Sequence, residues 1–304
     1  MRSFRLLPLL LAPLACRQGS GGGDQGRILV EDGLGREVRL ERPADRIVSL
    51  APAHTEILFA LGAGDRLRGR DAFSDHPPAA LEVPSIGSVH PRPNLESVLL
   101  LYPDLALAGG TMDPSDVRAL EGLGIPVYAS GVIAGLEDVY ADILAVSRLC
   151  GLPSEGDRLV AGLVERVTAV RERVRSAATR PLVFYEIDGS DPARPWTAGP
   201  SSFIGELIEL AGGRNLGDAG STPYFQVSIE ELVARDPEII LLGSAARAAA
   251  SPELVAARPG WSSLSAVKTG AVHPIDDDIV SRPGPRVALG LESIARRIHP
   301  ELFR

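Results

Sequence analysis

Three histidines in the first hundred residues, His54, His76 and His90, and the acidic run Asp276–Asp278 are the side chains best suited to proton transfer or metal ligation. An imidazole works as a base only beside a nucleophile or an orienting carboxylate, and the local sequence pairs none of the three. The chain has no phosphate-cradling glycine loop, no Gly-x-Ser-x-Gly elbow and no His-Glu-x-x-His helix. Five scattered histidines do not supply the converging ligands that a bare cation needs, and Asp276–Asp278 suits a solvated turn after a strand. The expectation from these residues is no catalytic residue and no metal site. A secreted hydrolase or metal-dependent enzyme is the remote alternative.

Composition narrows the partners. Thirty-one basic against 39 acidic residues give a net charge of -8, which offers no basic field to gather phosphates, so nucleic acid is not an expected partner. Arg2 and Arg5 precede the apolar run Leu6–Ala15, which has the charged and apolar regions of a secretory signal and is too short to span a bilayer. Cys16 follows, then a Gly/Ser-rich spacer from Gln18 to Gly23. The arrangement resembles a bacterial lipoprotein signal, although Pro13 stands where a large aliphatic residue is usual. That resemblance implies lipidation at Cys16 and a protein held by acyl chains outside the cytoplasmic membrane. Cys150 is the only other cysteine, so one chain can build neither a disulfide framework nor a thiolate metal site.

The elements that must position any site alternate between strand and helix. Val38–Leu40, Ile47–Leu50, Leu105–Ala108, Val127–Ala129, Val183–Ile187 and Ile239–Leu242 are short apolar runs, the first two suiting strands joined by a turn. Thr55 is a candidate helix cap before Glu56–Leu61. Helical or turn material separates the strands, which argues for parallel sheets. The strongest internal signal is a repeat: Asn94–Leu107 aligns without a gap on Ser228–Leu241, matching Glu96 to Glu230 and Pro103 to Pro237. Each copy reads as a capped short helix, a proline stop and an apolar strand, so two related lobes follow. Between the copies Leu136–Leu149 is helical in pattern, and a second helix from Ser154 to about Ser176 carries the stripe Leu159, Leu163, Val167, Val170 and Val174. At 1.5 Å per residue it would reach roughly 34 Å, enough to link two lobes.

These features resemble the helical-backbone class of periplasmic binding proteins, which serve ABC importers of cobalamin, haem and iron siderophores. The resemblance runs from about Arg46 to Phe303 and rests on Arg46–Leu58, Phe73–Pro78, Asn94–Glu96, Tyr102–Asp104 and Trp196–Gly199, with Ala211–Asn215, Gln226–Glu230 and Ser281–Arg286. It implies two Rossmann-like α/β lobes with central parallel sheets joined by a single long helix. The implied units are a signal and tether (1–25), an N-terminal lobe (26–135), a helical linker (136–178) and a C-terminal lobe (179–304). Within the class, the stretches around Phe73, Trp196 and Tyr224 are most similar to the cobalamin-binding branch. Phe73, Trp196 and Tyr224 then fall on aromatic walls of the cleft, and Asp278 and Arg282 on polar ligand contacts. Glu96 and Glu230 match the glutamates that dock on a permease dimer driven by ATPase subunits. Cobalamin is expected as cargo rather than cofactor, with haem or a ferric siderophore as the alternative. One departure stands out: a tryptophan of the branch is missing, and Ile86–Pro93 replaces it with His90 and Arg92.

Overall fold

The computed structural model describes residues 27–243 and 251–303, so Cys16 lies outside the described residues. Ile28–Glu31 (β1) and Glu37–Leu40 (β2) form an antiparallel hairpin whose turn passes through Gly35 at φ 72°. Asp32 fixes that turn, its carboxylate accepting the backbone N–H groups of Leu34 and Arg36 at 2.9 Å each. Sequence had joined β2 to the following strand. Instead, Ile47–Ser49 (β3) has Leu67–Arg70 (β4) on one side and Leu105–Ala108 (β5) on the other, so β2 finds no free edge there. Val127–Ala129 (β6) completes a parallel sheet of order β4-β3-β5-β6. Its central strands are buried on both faces, which is why they read as unbroken apolar runs.

The second sheet is mixed. Leu182–Asp188 (β7) pairs antiparallel with Trp196–Ala198 (β8) and, along its first residues, parallel with Arg214–Asn215 (β9). Tyr224–Gln226 (β10) lies antiparallel outside β8, while Ile239–Leu242 (β11) and Val272–Pro274 (β12) extend the sheet in parallel on the other side. The centre is parallel as expected and the β8–β10 ribbon is not. Residues 189–195 are too few for the crossover that a parallel neighbour of β7 would require, so the chain must double back.

Both copies of the repeat are as the sequence implied. Asn94 and Ser228 cap the helices Leu95–Leu99 and Ile229–Arg235, accepting the N–H of Ser97 and Glu231. The copies share one further feature: Tyr102 and Asp236, each just before the matched proline, adopt left-handed φ values of 48° and 49°.

Pro153–Val174 is the linking helix, 22 residues or about 33 Å long, and Pro153 at its first position opens it in place of the expected Ser154 cap. Leu163, Val167, Val170 and Val174 are its buried stripe, packed against Leu136–Leu149 on one lobe and Val287–Ile298 on the other. One apolar cluster consequently runs from Ile47 and Ile57 through this stripe to Val183, Leu207 and Leu291. Each sheet buries its other face in a smaller cluster of its own.

Candidate ligand-binding cleft

All four strands of the first sheet release their loops at one edge, and those loops converge: Leu50–His54 after β3, Asp71 and Phe73 after β4, Gly109–Asp113 after β5, Ser130 and Ile133 after β6. The chain leaves β3 toward one side and returns to β5 on the other, which is the switch point where open parallel sheets hold ligands. The loops after β5 and β6 touch backbone to backbone, since a Cβ on Gly110 would stand 2.1 Å from the carbonyl oxygen of Gly131. From the second lobe, Asp277, Asp278 and Ser281–Pro283 close the far side, enclosing about 770 Å³.

Helix Pro52–Ala60 starts at Pro52, with no cap from Thr55. Thr55 is buried three residues further in, and its hydroxyl lies 2.9 Å from both Ser49 Oγ and Ser74 Oγ, so it braces the loops beneath the cleft. The next residue, Glu56, is buried and faces the second lobe. Arg286 donates to it bidentately at 2.9 and 2.6 Å. Arg282 stands 3.6 Å from Glu56, donates to Asp75 at 2.7 Å and lies 2.9 Å from Asp278. Its hydrogen bond holds the Asp75 carboxyl below the usual range. Asp278 and Arg282 thus line the cleft, and Arg282 also ties the lobes together through Glu56 and Asp75 of the first lobe. A second tie runs from Glu206 to the N–H of Leu136 at 2.6 Å.

Phe73 lines the cleft and is 52% exposed, an aromatic surface available to a ligand. Trp196 and Tyr224 do not line it. They sit on the β8–β10 ribbon, where the pairings Trp196–Gln226 and Ala198–Tyr224 put both on one face, 41% and 45% exposed. Trp196 pairs with Asp188, the last residue of β7, and so stands at the same sheet edge as the cleft.

His54 is the histidine that the fold commits. Its Nε2 is 3.2 Å from Asp142 and 2.9 Å from Ser130 Oγ, and Tyr128 donates to Asp142 at 2.8 Å. Burial works to raise the Asp142 carboxyl, but His54, Tyr128 and Ser130 together hold it below its ordinary value. Serine and aspartate meet the same ring nitrogen, and Nδ1 has no hydrogen-bond partner among the described residues. A nucleophile relay needs them on opposite nitrogens, so this is a brace under the cleft floor rather than a triad. Asp276 caps a helix through the N–H of Asp278 at 3.0 Å, and Asp277 lies 3.2 Å from the Tyr185 hydroxyl.

Six aspartates line the cleft (Asp71, Asp113, Asp116, Asp142, Asp277 and Asp278) against one arginine, Arg282. That charge was invisible in the sequence because the six come from four separate segments of the chain. Glu96 and Glu230 are exposed second residues of the matched capped helices. The Glu230 carboxyl is held below its usual range by its own backbone N–H and the Ser228 hydroxyl.

Two α/β lobes on one long helix, with a cleft between them at the ends of parallel strands, define a solute-binding protein of the helical-backbone kind. Residues 47–279 match the periplasmic binding protein family, and the chain belongs to it. It is 29% identical over 280 residues, 91% of this chain and 87% of the other, to YvrC, an ABC transporter substrate-binding lipoprotein of Bacillus subtilis. The vitamin B12-binding protein of Vibrio cholerae is 31% identical over 83% of this chain and 88% of its own length. Among solved structures, the periplasmic heme-binding protein RhuT from Roseiflexus has a TM-score of 0.78 at 26% identity, covering 85% of this chain and 99% of that one. The protein is an exported substrate-binding component of an ABC transporter, not an enzyme.

Proposed function

We propose that the chain captures cobalamin or a related corrinoid in the inter-lobe cleft and delivers it to an ABC permease dimer powered by ATPase subunits. The charge of the cleft carries this reading. A corrinoid is a broad, mostly apolar disc fringed by amides, whose N–H groups suit carboxylate acceptors and whose face suits Phe73. Haem propionates or an anionic ferric chelate would meet six aspartates, with Arg282 and Arg92, both already paired with carboxylates, as the cations at hand. Each like-charge contact near 4 Å costs about 1–4 kcal/mol in the partly wet dielectric of such a site. Haem stays the second reading because RhuT, a heme-binding protein, shares the fold. Calorimetric titration with cyanocobalamin, haemin and a ferric siderophore decides: one-to-one cobalamin heat supports the proposal, and heat from haemin or the chelate alone overturns it.

In the same reading Trp196 and Tyr224 meet the part of a large ligand that extends beyond the cleft, and Cys16 carries the lipid anchor. Glu96 and Glu230 dock the lobes symmetrically on arginines of the permease. Replacing both by alanine is expected to leave cobalamin affinity within about twofold, because each is a solvent-facing charge of the kind that contributes little locally. Cellular uptake should fall at least tenfold, since a mispositioned donor cannot present cargo to the pore. Normal uptake in the double variant removes the docking role.

A further inference from the structure

The segment Ile86–Pro93, the departure seen in the sequence, lines the cleft with Ser88, Val89, His90 and Pro91. Arg92 turns to Asp116, 3.6 Å away. His90 is exposed at the rim, and its ring makes no hydrogen bond or ion pair among the described residues. Its backbone is nevertheless fixed. Ser88 Oγ accepts the His90 N–H at 3.0 Å and donates to the His90 carbonyl at 2.9 Å, while Val89 is buried in the apolar cluster beneath. A held backbone therefore presents a free imidazole to the cleft. The other imidazole there, His54, has given Nε2 to the floor network, and its Nδ1 is sealed from solvent.

Among the described residues no three His, Cys, Asp or Glu side chains are grouped to hold a bare metal ion. One imidazole is enough, however, for a metal that arrives with four equatorial nitrogens already in place. We propose that His90 is an axial ligand to the cobalt of corrinoids that lack their own nucleotide base, so that the cleft accepts incomplete corrinoids as well as complete cobalamin. The inference rests on the corrinoid reading above. The step is a ligand exchange: the cobalt–oxygen bond to a bound water breaks, a cobalt–nitrogen bond forms from the imidazole lone pair, water leaves, and the oxidation state is unchanged. A base-free aquo-corrinoid carries positive charge on its metal, which the six aspartates favour. Cyanocobalamin occupies both axial positions with its own base and cyanide, leaving His90 nothing to displace readily.

The test uses the purified protein with diaquocobinamide and with cyanocobalamin. Bound diaquocobinamide should show the visible-band shift that free imidazole produces, and bound cob(II)inamide should show splitting from one axial nitrogen by electron paramagnetic resonance. His90→Ala should abolish both signatures and weaken diaquocobinamide binding about tenfold or more, as loss of a metal–imidazole bond does, a clearly larger factor than for cyanocobalamin. The proposal is overturned if cobinamide bound to the unaltered protein keeps its aquo spectrum, or if His90→Ala retains the shifted one. Those results leave the corrinoid reading standing when cyanocobalamin still binds. Failure of both corrinoids to bind overturns that reading and this inference together.

Discussion

Replacing Glu56 by alanine is expected to cost about 3–5 kcal/mol of folding stability, the range for removing one partner of a buried ion pair. Glu56 is almost fully buried, and both cations that face it, Arg286 and Arg282, come from the opposite lobe and are themselves largely buried. Without the carboxylate their charges stay in place with fewer counter-charges, so the second lobe is pushed away from helix Pro52–Ala60. Asp75→Asn is the contrasting case. Its carboxylate is half exposed, and water screens the lost contact, so a cost below about 1 kcal/mol is expected. Urea denaturation of the two variants, compared at equal slope, measures the difference. A cost near 1 kcal/mol for Glu56→Ala would show that water already reaches the pair and that the lobes do not depend on it.

Phe73→Ala should leave stability nearly unchanged and weaken ligand capture strongly. Half of a side chain of about 200 Å² is open in the free protein, so covering it with a corrinoid face removes about 100 Å² from water. At about 25 cal/mol per Å² that is about 2.5 kcal/mol, or about 60-fold in affinity. Calorimetry with cyanocobalamin reads it directly. The double variant Trp196→Ala/Tyr224→Ala tests how far the ligand reaches: a comparable loss extends the binding surface onto the β8–β10 ribbon. Unchanged affinity in the double variant withdraws those two residues and leaves Phe73 in place.

Much of this architecture was legible because parallel sheets are covered on both faces. Leu105–Ala108, Val127–Ala129 and Ile239–Leu242 begin and end where their apolar runs do. The linking helix was legible from the spacing of Leu163, Val167, Val170 and Val174, and the two lobes from the repeat. What stayed hidden depends on residues far apart in the chain. Glu56 reads as a surface charge on a helix until Arg286, 230 positions away, is folded against it. Thr55 looks like a cap because its hydroxyl suits one, yet Ser49 and Ser74 claim that hydroxyl in the interior. Pairing of β2 with β1 followed from the crowding of β3 on both sides, a fact of sheet order that no local pattern encodes. The aspartates of the cleft likewise gained their collective meaning only when four separate segments converged.

The apolar seam that passes from Ile57 through the linking helix to Leu291 has a thermodynamic consequence. Two lobes with separate interiors could melt one after the other, each with its own transition. Here each lobe completes its interior with the same rod, so neither has a finished core without it and the molecule is one cooperative unit in the shape of two. A ligand held at the cleft then adds its binding energy to the whole molecule at once, and cargo protects the carrier from end to end.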